Sequence, residues 1–261
     1  MTGSVVGNID VAQVVLYAFW AFFAGLVWYL RQEDRREGYP LEDDVSGSYN
    51  KAPFLFIPGK KTFVLPHGGG TRHAPDGQRD TRPLAASRLF KASGSPIEPL
   101  GNPLLAGVGP GSWAERADRP DMTAHGEARI APMRLSEGFS ITEGDIDPRG
   151  LAVMGCDRKQ AGTVKDVWVD RSEHLIRYYE VEVGTGDEAR TVLLPNNFVV
   201  FTRGRGGVMH LEVHALTAGQ FADVPATAAA ETVTLREEDQ IAAYFGAGLL
   251  YAVRSRQESV L

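Results

Sequence analysis

Residues 11–30 read VAQVVLYAFWAFFAGLVWYL, and Gln13 is the only strongly polar side chain in the run. At roughly 1.5 Å of rise per residue such a helix reaches about 30 Å, the thickness of a bilayer's hydrocarbon core. The stretch therefore predicts a single transmembrane α-helix, over 11–31. A cleaved signal peptide, the main rival, needs a basic start, a shorter apolar core and a small-residue cleavage site. Here the first ten residues hold no Lys or Arg, and the run closes on Trp28-Tyr29-Leu30. Asn8 or Asp10 is placed to cap the helix by accepting from its free N–H groups. Arg31, Arg35 and Arg36 come directly after the run, and basic residues stay on the cytoplasmic side. Residues 1–10 are thus expected as a short tail outside the membrane, with the rest of the chain after the helix in the cytoplasm. Trp28 and Tyr29, at headgroup level, and the neighbouring Arg31 and Arg35 are the expected contacts to anionic lipid. The spacing Ala21-x-x-x-Gly25 either admits a second helix closely or is ordinary membrane-helix composition.

Composition limits the region beyond the anchor. With 261 residues, 43% hydrophobic and 23% charged, the chain can hold one anchor and one ordinary soluble domain. A formal net charge of −6 argues against nucleic acid as a partner, because phosphate binding wants a basic face. Cys156 is the single cysteine, so there is no internal disulfide and no Cys-cluster metal site, which suits a reducing compartment.

Over 32–105 prolines and glycines recur, and no apolar periodicity lasts long enough for a helix of three turns. Phe54-Leu55-Phe56-Ile57 and Phe63-Val64-Leu65 each end in proline, as edge strands do. Such a segment has little core of its own and is expected to lie extended against the membrane surface and a partner. From 150 the texture changes to short strands, expected at 150–156, 162–170, 175–183, 190–194, 198–202 and 208–215. Tyr179, Val181 and Val183 alternate with Tyr178, Glu180 and Glu182, and Met209, Leu211 and Val213 with His210, Glu212 and His214. Strands this short and close suggest a small, bent antiparallel sheet or barrel. Thr234-x-x-Glu237 is a capping box opening a C-terminal helix whose Ile241, Tyr244, Phe245, Gly248 and Leu249 fall on one stripe. The cytoplasmic domain is placed at 106–252, with 253–261 as a tail.

Catalytic motifs are scarce. His67-Gly68-Gly69-Gly70 looks like an esterase oxyanion loop, but no Gly-x-Ser-x-Gly elbow accompanies it, and a turn is the better reading. No Walker loop or dinucleotide fingerprint is present. His210-x-Glu212-x-His214 spreads its two histidines about 13 Å along a strand, too far for one ion, so it reads as a polar strand face. His125-Gly126-Glu127, with Asp121 ahead of it, combines imidazole and carboxylates that can pass protons near neutral pH or bind a transition ion. A plain solvated loop is the alternative. Asp166, Asp170 and Glu173 lie where a strand ends, beside His174 and Arg177, and by pattern alone they read as a surface ion-pair group.

Several stretches together resemble one family. They are Arg36-Glu37-Gly38-Tyr39-Pro40-Leu41-Glu42, Lys61-Thr62-Phe63-Val64-Leu65-Pro66-His67-Gly68 and Gly107-Val108-Gly109-Pro110-Gly111-Ser112-Trp113, then Gly155-Cys156-Asp157, Asp166-Val167-Trp168-Val169-Asp170 and Glu237-Glu238-Asp239. The chain resembles the H subunit of the purple-bacterial photosynthetic reaction centre, from the anchor to nearly the last helix. The resemblance implies a fold of one membrane helix followed by a mainly β cytoplasmic domain, a small antiparallel β-barrel of the photosynthetic reaction centre H-subunit type, with a C-terminal helix. It implies no cofactor bound by this chain itself. The partners implied are the L and M subunits, which hold bacteriochlorophyll, bacteriopheophytin, ubiquinone and non-haem iron, together with light-harvesting antenna polypeptides and membrane lipids, in the bacterial inner (intracytoplasmic) membrane. The implied duty is structural, with proton transfer to the secondary quinone and no catalysis.

Carried over by position, Glu173 matches the family's inner carboxylate on the proton path, with Asp170 and Arg177 in its network. His125 matches a surface histidine at the entrance, where a weak metal site is also possible. The chain departs at Glu127, where better-known members have histidine, and at Thr123, where they have aspartate. Glu127 can still relay a proton and Asp121 keeps an acid nearby. Gly69 replaces a basic residue, which alters the charge balance around Glu238, the last expected proton-transfer group. The rival reading is a single-pass membrane-anchored adaptor using a β-barrel to bind protein without photochemistry. A tethered hydrolase using His67 or His125 lacks a nucleophile constellation.

Overall fold

The computed structural model describes residues 4–6, 9–49, 57–78, 80–186, 189–204 and 206–257. The chain divides into two compact units, Met1–Asp80 with Phe90–Pro96, and Thr81–Leu89 with Ile97–Leu261.

In the first unit, β1 (Ser4–Val6) and β2 (Ile9–Asp10) pair antiparallel and lead into α1 (Val11–Glu33). Asp10 Oδ1 accepts from the Gln13 N–H at 2.7 Å, so Asp10 is the cap; Asn8, the other candidate, lies outside the described residues. No residue of α1 is buried, and the helix is long and apolar enough to cross a membrane. Its C-terminal end is pinned by charge. Glu33 receives the Arg36 fork at 2.8 Å on each oxygen and the Lys61 ammonium at 2.5 Å, while Arg36 Nη1 donates to the carbonyls of Gly59 (2.6 Å) and Ala74 (3.1 Å). Lys61 and Ala74 are paired at the open end of a hairpin of β3 (Lys61–Val64) and β4 (Thr71–Ala74), which realises the strand expected near Phe63; residues 54–56 lie outside the described set. The His67-Gly68-Gly69-Gly70 run is the turn of this hairpin: Leu65 N–H donates to Gly70 at 2.9 Å and His67 takes a φ of 53°. Phe63 and Val64 are exposed, and the hydrophobic core cluster among the described residues belongs wholly to the other unit. A segment without its own core is what the recurrent prolines predicted.

The second unit begins with a short hairpin, β5 (Ala86–Arg88) and β6 (Ile97–Pro99). Its main sheet contains β7 (Ile130–Pro132), β8 (Ala152–Gly155), β9 (Gln160–Asp170), β10 (Leu175–Val183), β11 (Arg190–Pro195), β12 (Val199–Arg203) and β13 (Met209–Val213), in the order β11-β10-β9-β8-β13-β12 with β7 also on β9. All six strands expected from 150 onward are present within a few residues of their expected bounds. β9 organises the sheet: its first half pairs β8, its last three residues pair β7 and β10 runs beside it along most of its length. Two register shifts against β10 let this long strand bend. The pairing is antiparallel except between β13 and β8, which is parallel, and no hydrogen-bonded pairing among the described residues joins the outer strands β11 and β12.

The core is one buried cluster drawn from the sheet and from α2 (Leu235–Tyr251), with Val153, Val167, Tyr179, Leu194, Leu211, Phe221, Ile241, Tyr244 and Phe245 almost fully buried. The capping box at Thr234 and Glu237 is formed as expected. Two details differ from the periodicity. Leu249 is 54% exposed although it lies on the apolar stripe, and Tyr178 is buried although it alternates with Tyr179. Tyr178 is covered where its hydroxyl meets Glu238 on α2. Gly246 approaches the Pro110 carbonyl so closely that a Cβ would lie 2.8 Å from it, and a Cβ on Gly111 would lie 2.9 Å from Ala247. The glycines of the 107–113 run thus let that loop lie directly on α2.

Candidate functional site

The strand-end sequence Asp170-Arg171-Ser172-Glu173 builds its own turn. Asp170 Oδ1 accepts from the N–H groups of Ser172 and Glu173, each at 2.9 Å, and His174 N–H closes onto the Asp170 carbonyl at 2.9 Å. This is the side-chain-to-backbone turn that aspartate favours. A second loop comes beside it. Residues 121–129 fold back on themselves, Thr123 N–H donating to Glu127 at 2.8 Å and Arg129 N–H to Asp121 at 2.8 Å. Thr123 is buried, and its hydroxyl accepts from the N–H groups of His125 and Glu127 at 3.3 Å. A threonine at this position therefore shapes the loop rather than adding a charge. β7, pairing Ile130 with Asp170, sets Arg129 against the strand end.

Arg129 is the centre of the group. Its Nε contacts both Asp170 oxygens at 3.1 and 3.0 Å, Nη1 reaches Asp121 Oδ2 at 3.3 Å, and Nη2 donates to Glu173 Oε1. Hydrogen bonding to Asp170 keeps the guanidinium firmly charged. Burial, with only 1% of the Asp170 side chain exposed, pushes its carboxyl up, but Arg129 and the two backbone N–H groups outweigh it and hold the group below its ordinary value.

Of the residues expected at the site, Asp121, Asp170 and Glu173 thus share one guanidinium. Arg177 does not join them: it lies 3.8 Å from Glu238, which also accepts from the Tyr178 hydroxyl at 3.0 Å. Burial holds the Glu238 carboxyl above its ordinary value, against the opposing pull of Tyr178 and Arg177. His125 and Glu127 are exposed at the loop tip, Glu127 lying 3.6 Å from Arg171. Among the described residues no group of three or more His, Cys, Asp or Glu side chains is set to hold a metal ion. At the membrane end, Trp28 and Tyr29 are exposed, Arg31 pairs with Asp34 at 3.3 Å and Arg35 stacks over the Tyr39 ring at 5.1 Å.

Reading the chain as a line missed Arg129, because nothing in spacing ties it to a carboxylate 41 residues on. Arg134 was missed for the same reason. Its Nη1 bridges Asp166 and Glu180 at 2.8 Å each, and Glu180 also accepts from Trp168 Nε1 at 2.8 Å. The stretch Asp166-Val167-Trp168-Val169-Asp170 therefore carries two buried carboxylates on one strand face, each with its own arginine. The stretch Glu237-Glu238-Asp239 divides its work similarly: Glu237 closes the capping box, Glu238 meets Tyr178, and Asp239 Oδ2 accepts from Ala114 N–H at 2.7 Å.

One long unburied apolar helix followed by a mainly β domain defines a membrane-anchored β-domain protein. Residues 3–135, just over half of the 261-residue chain, match the family described as photosynthetic reaction centre, H-chain N-terminal region. Residues 143–214, which contain β8 to β13, match the PRC-barrel domain. The chain belongs to the photosynthetic reaction centre H-chain family.

Proposed function

We propose that this H chain covers the cytoplasmic side of a quinone-reducing reaction centre and conducts protons towards the secondary quinone held by its partner subunits. Family membership implies association with L and M subunits, and it favours a structural, non-enzymatic role. In this reading residues 1–10 are periplasmic, 11–31 span a bacterial inner membrane, 32–105 run along its surface, and 106–252 form the cytoplasmic domain ahead of a tail at 253–261. Bacteriochlorophyll, bacteriopheophytin, ubiquinone and iron belong to the partners, and antenna polypeptides and lipids surround the assembly.

The observation that carries the proton-transfer part is the convergence of Asp121, Asp170 and Glu173 on Arg129, with the loop bearing His125 and Glu127 leading to it from solvent. A site shielded from water needs such a row of titratable groups to receive protons. The test is to purify the tagged full chain from native membranes in mild detergent. Near-infrared bacteriochlorophyll and bacteriopheophytin bands are expected in the preparation. In that complex Glu173→Gln should slow the second, protonation-coupled electron transfer to the quinone and spare the first charge separation. A colourless preparation would favour a protein-binding adaptor instead, and an unchanged second step would remove Glu173 from the path.

A further inference from the structure

Three carboxylates on one guanidinium are not equivalent, because they differ in the other donors they hold. Asp170 accepts from Arg129 Nε and from the N–H groups of Ser172 and Glu173. Asp121 accepts from Arg129 Nη1 and, on Oδ1, from Met122 N–H at 3.0 Å. Glu173 accepts from Arg129 Nη2 and from no other described group, and about half of its side chain is open. Each hydrogen bond donated to a carboxylate stabilises its ionised form. An arriving proton therefore goes to the carboxylate that gives up the fewest donors.

Building on the proton-transfer reading above, we propose that Arg129 is the positioning residue of this cluster, holding Asp170 as an anchor that stays ionised near neutral pH so that Glu173 alone is the proton-carrying carboxylate. The step is a proton transfer with no change in electron count. A Glu173 oxygen takes a proton from the solvent side, its contact to Arg129 Nη2 loosens, and the proton leaves inward as the contact re-forms. Asp170 cannot take part on the same terms. Protonating it would weaken the Arg129 Nε–H bond shared between its two oxygens and two backbone bonds that define the turn on which Glu173 stands.

The division is read by light-induced infrared difference spectroscopy of the whole pigment-containing complex, following the carboxylic C=O band that shifts in deuterium oxide. The band should vanish in Glu173→Gln and persist in Asp170→Asn. The second electron transfer should slow by about tenfold or more in Glu173→Gln, and by less than about threefold in Asp170→Asn. In Arg129→Gln a second C=O band should appear as Asp170 becomes protonatable, and Arg129→Lys, which restores the charge, should suppress it again. This rescue keeps the test decisive where Asp170→Asn disturbs the turn. Loss of the band in Asp170→Asn with retention in Glu173→Gln would overturn the division while leaving proton conduction through the cluster standing. A band that neither variant moves would overturn both the division and the place of Glu173 in the relay.

Discussion

Tyr178 on β10 donates its hydroxyl to Glu238 Oε2 on α2 at 3.0 Å, tying the sheet to the helix 60 residues further along the chain. Burial holds the phenol well above its ordinary value, so it stays a donor, and holds the carboxyl above its ordinary value as well. Tyr178→Phe leaves the shape and removes this donor from a buried acceptor. A loss of about 1–2 kcal/mol is expected, read from thermal or denaturant unfolding of the full chain in detergent.

Glu238 also sets a pH dependence whose sign comes from its raised value. The folded chain holds this proton more tightly than the unfolded chain does, so the group's contribution is complete below the unfolded value, about 4.3. It is lost as pH rises through the folded value. Glu238→Gln, which mimics the neutral acid, should therefore gain on the parent chain as pH is raised from about 5 to about 8. Unfolding midpoints across that range would show a widening gap; a constant gap would mean that Glu238 does not titrate there.

Asp170 has the opposite sign. Its folded value is lowered, so its contribution is present above the unfolded value, about 3.9, and disappears as pH falls through the folded one. Asp170→Asn should destabilise the chain at neutral pH and flatten its acid-side loss of stability, measured by unfolding between about pH 6 and pH 2. An acid limb as steep as the parent's would assign that limb to other carboxylates.

Arg134 stands between Asp166, whose side chain is 7% exposed, and Glu180, at 14%. Arg134→Met removes the cation and leaves two carboxylates facing each other in poor solvent. About 3 kcal/mol of destabilisation is expected at neutral pH, recovered in part by Asp166→Asn in the same chain. A double-mutant cycle gives the coupling directly.

Gly248 is a steric prediction. A Cβ there would lie 2.3 Å from the Ala215 carbonyl oxygen and 2.6 Å from Leu216 Cδ2, so Gly248→Ala must push α2 off the loop beneath it, at about 1–3 kcal/mol. Gly219 has nothing within 4 Å of the same position, and Gly219→Ala should stay within about 0.5 kcal/mol of the parent. Equal effects at the two sites would show that α2 is not packed as closely as described.

Residue order alone carried the anchor, the strand set and the start of α2, because each rests on local chemistry. A twenty-residue apolar run, alternation along β10 and β13, and a Thr-x-x-Glu box report their structure within a few residues of themselves. The turn at Asp170 is local too, since an aspartate caps its own following N–H groups. Folding decided what is not local. β7 and β10 flank the end of β9, and that alone brings Arg129 to Asp170, Glu173 and Asp121, and moves Arg177 to Glu238. The parallel return of β13 beside β8 and the burial of Tyr178 against α2 are likewise invisible to periodicity. Alternation states that two faces differ but not what covers them, and charge partners are chosen by distance in space, which the order of residues does not contain.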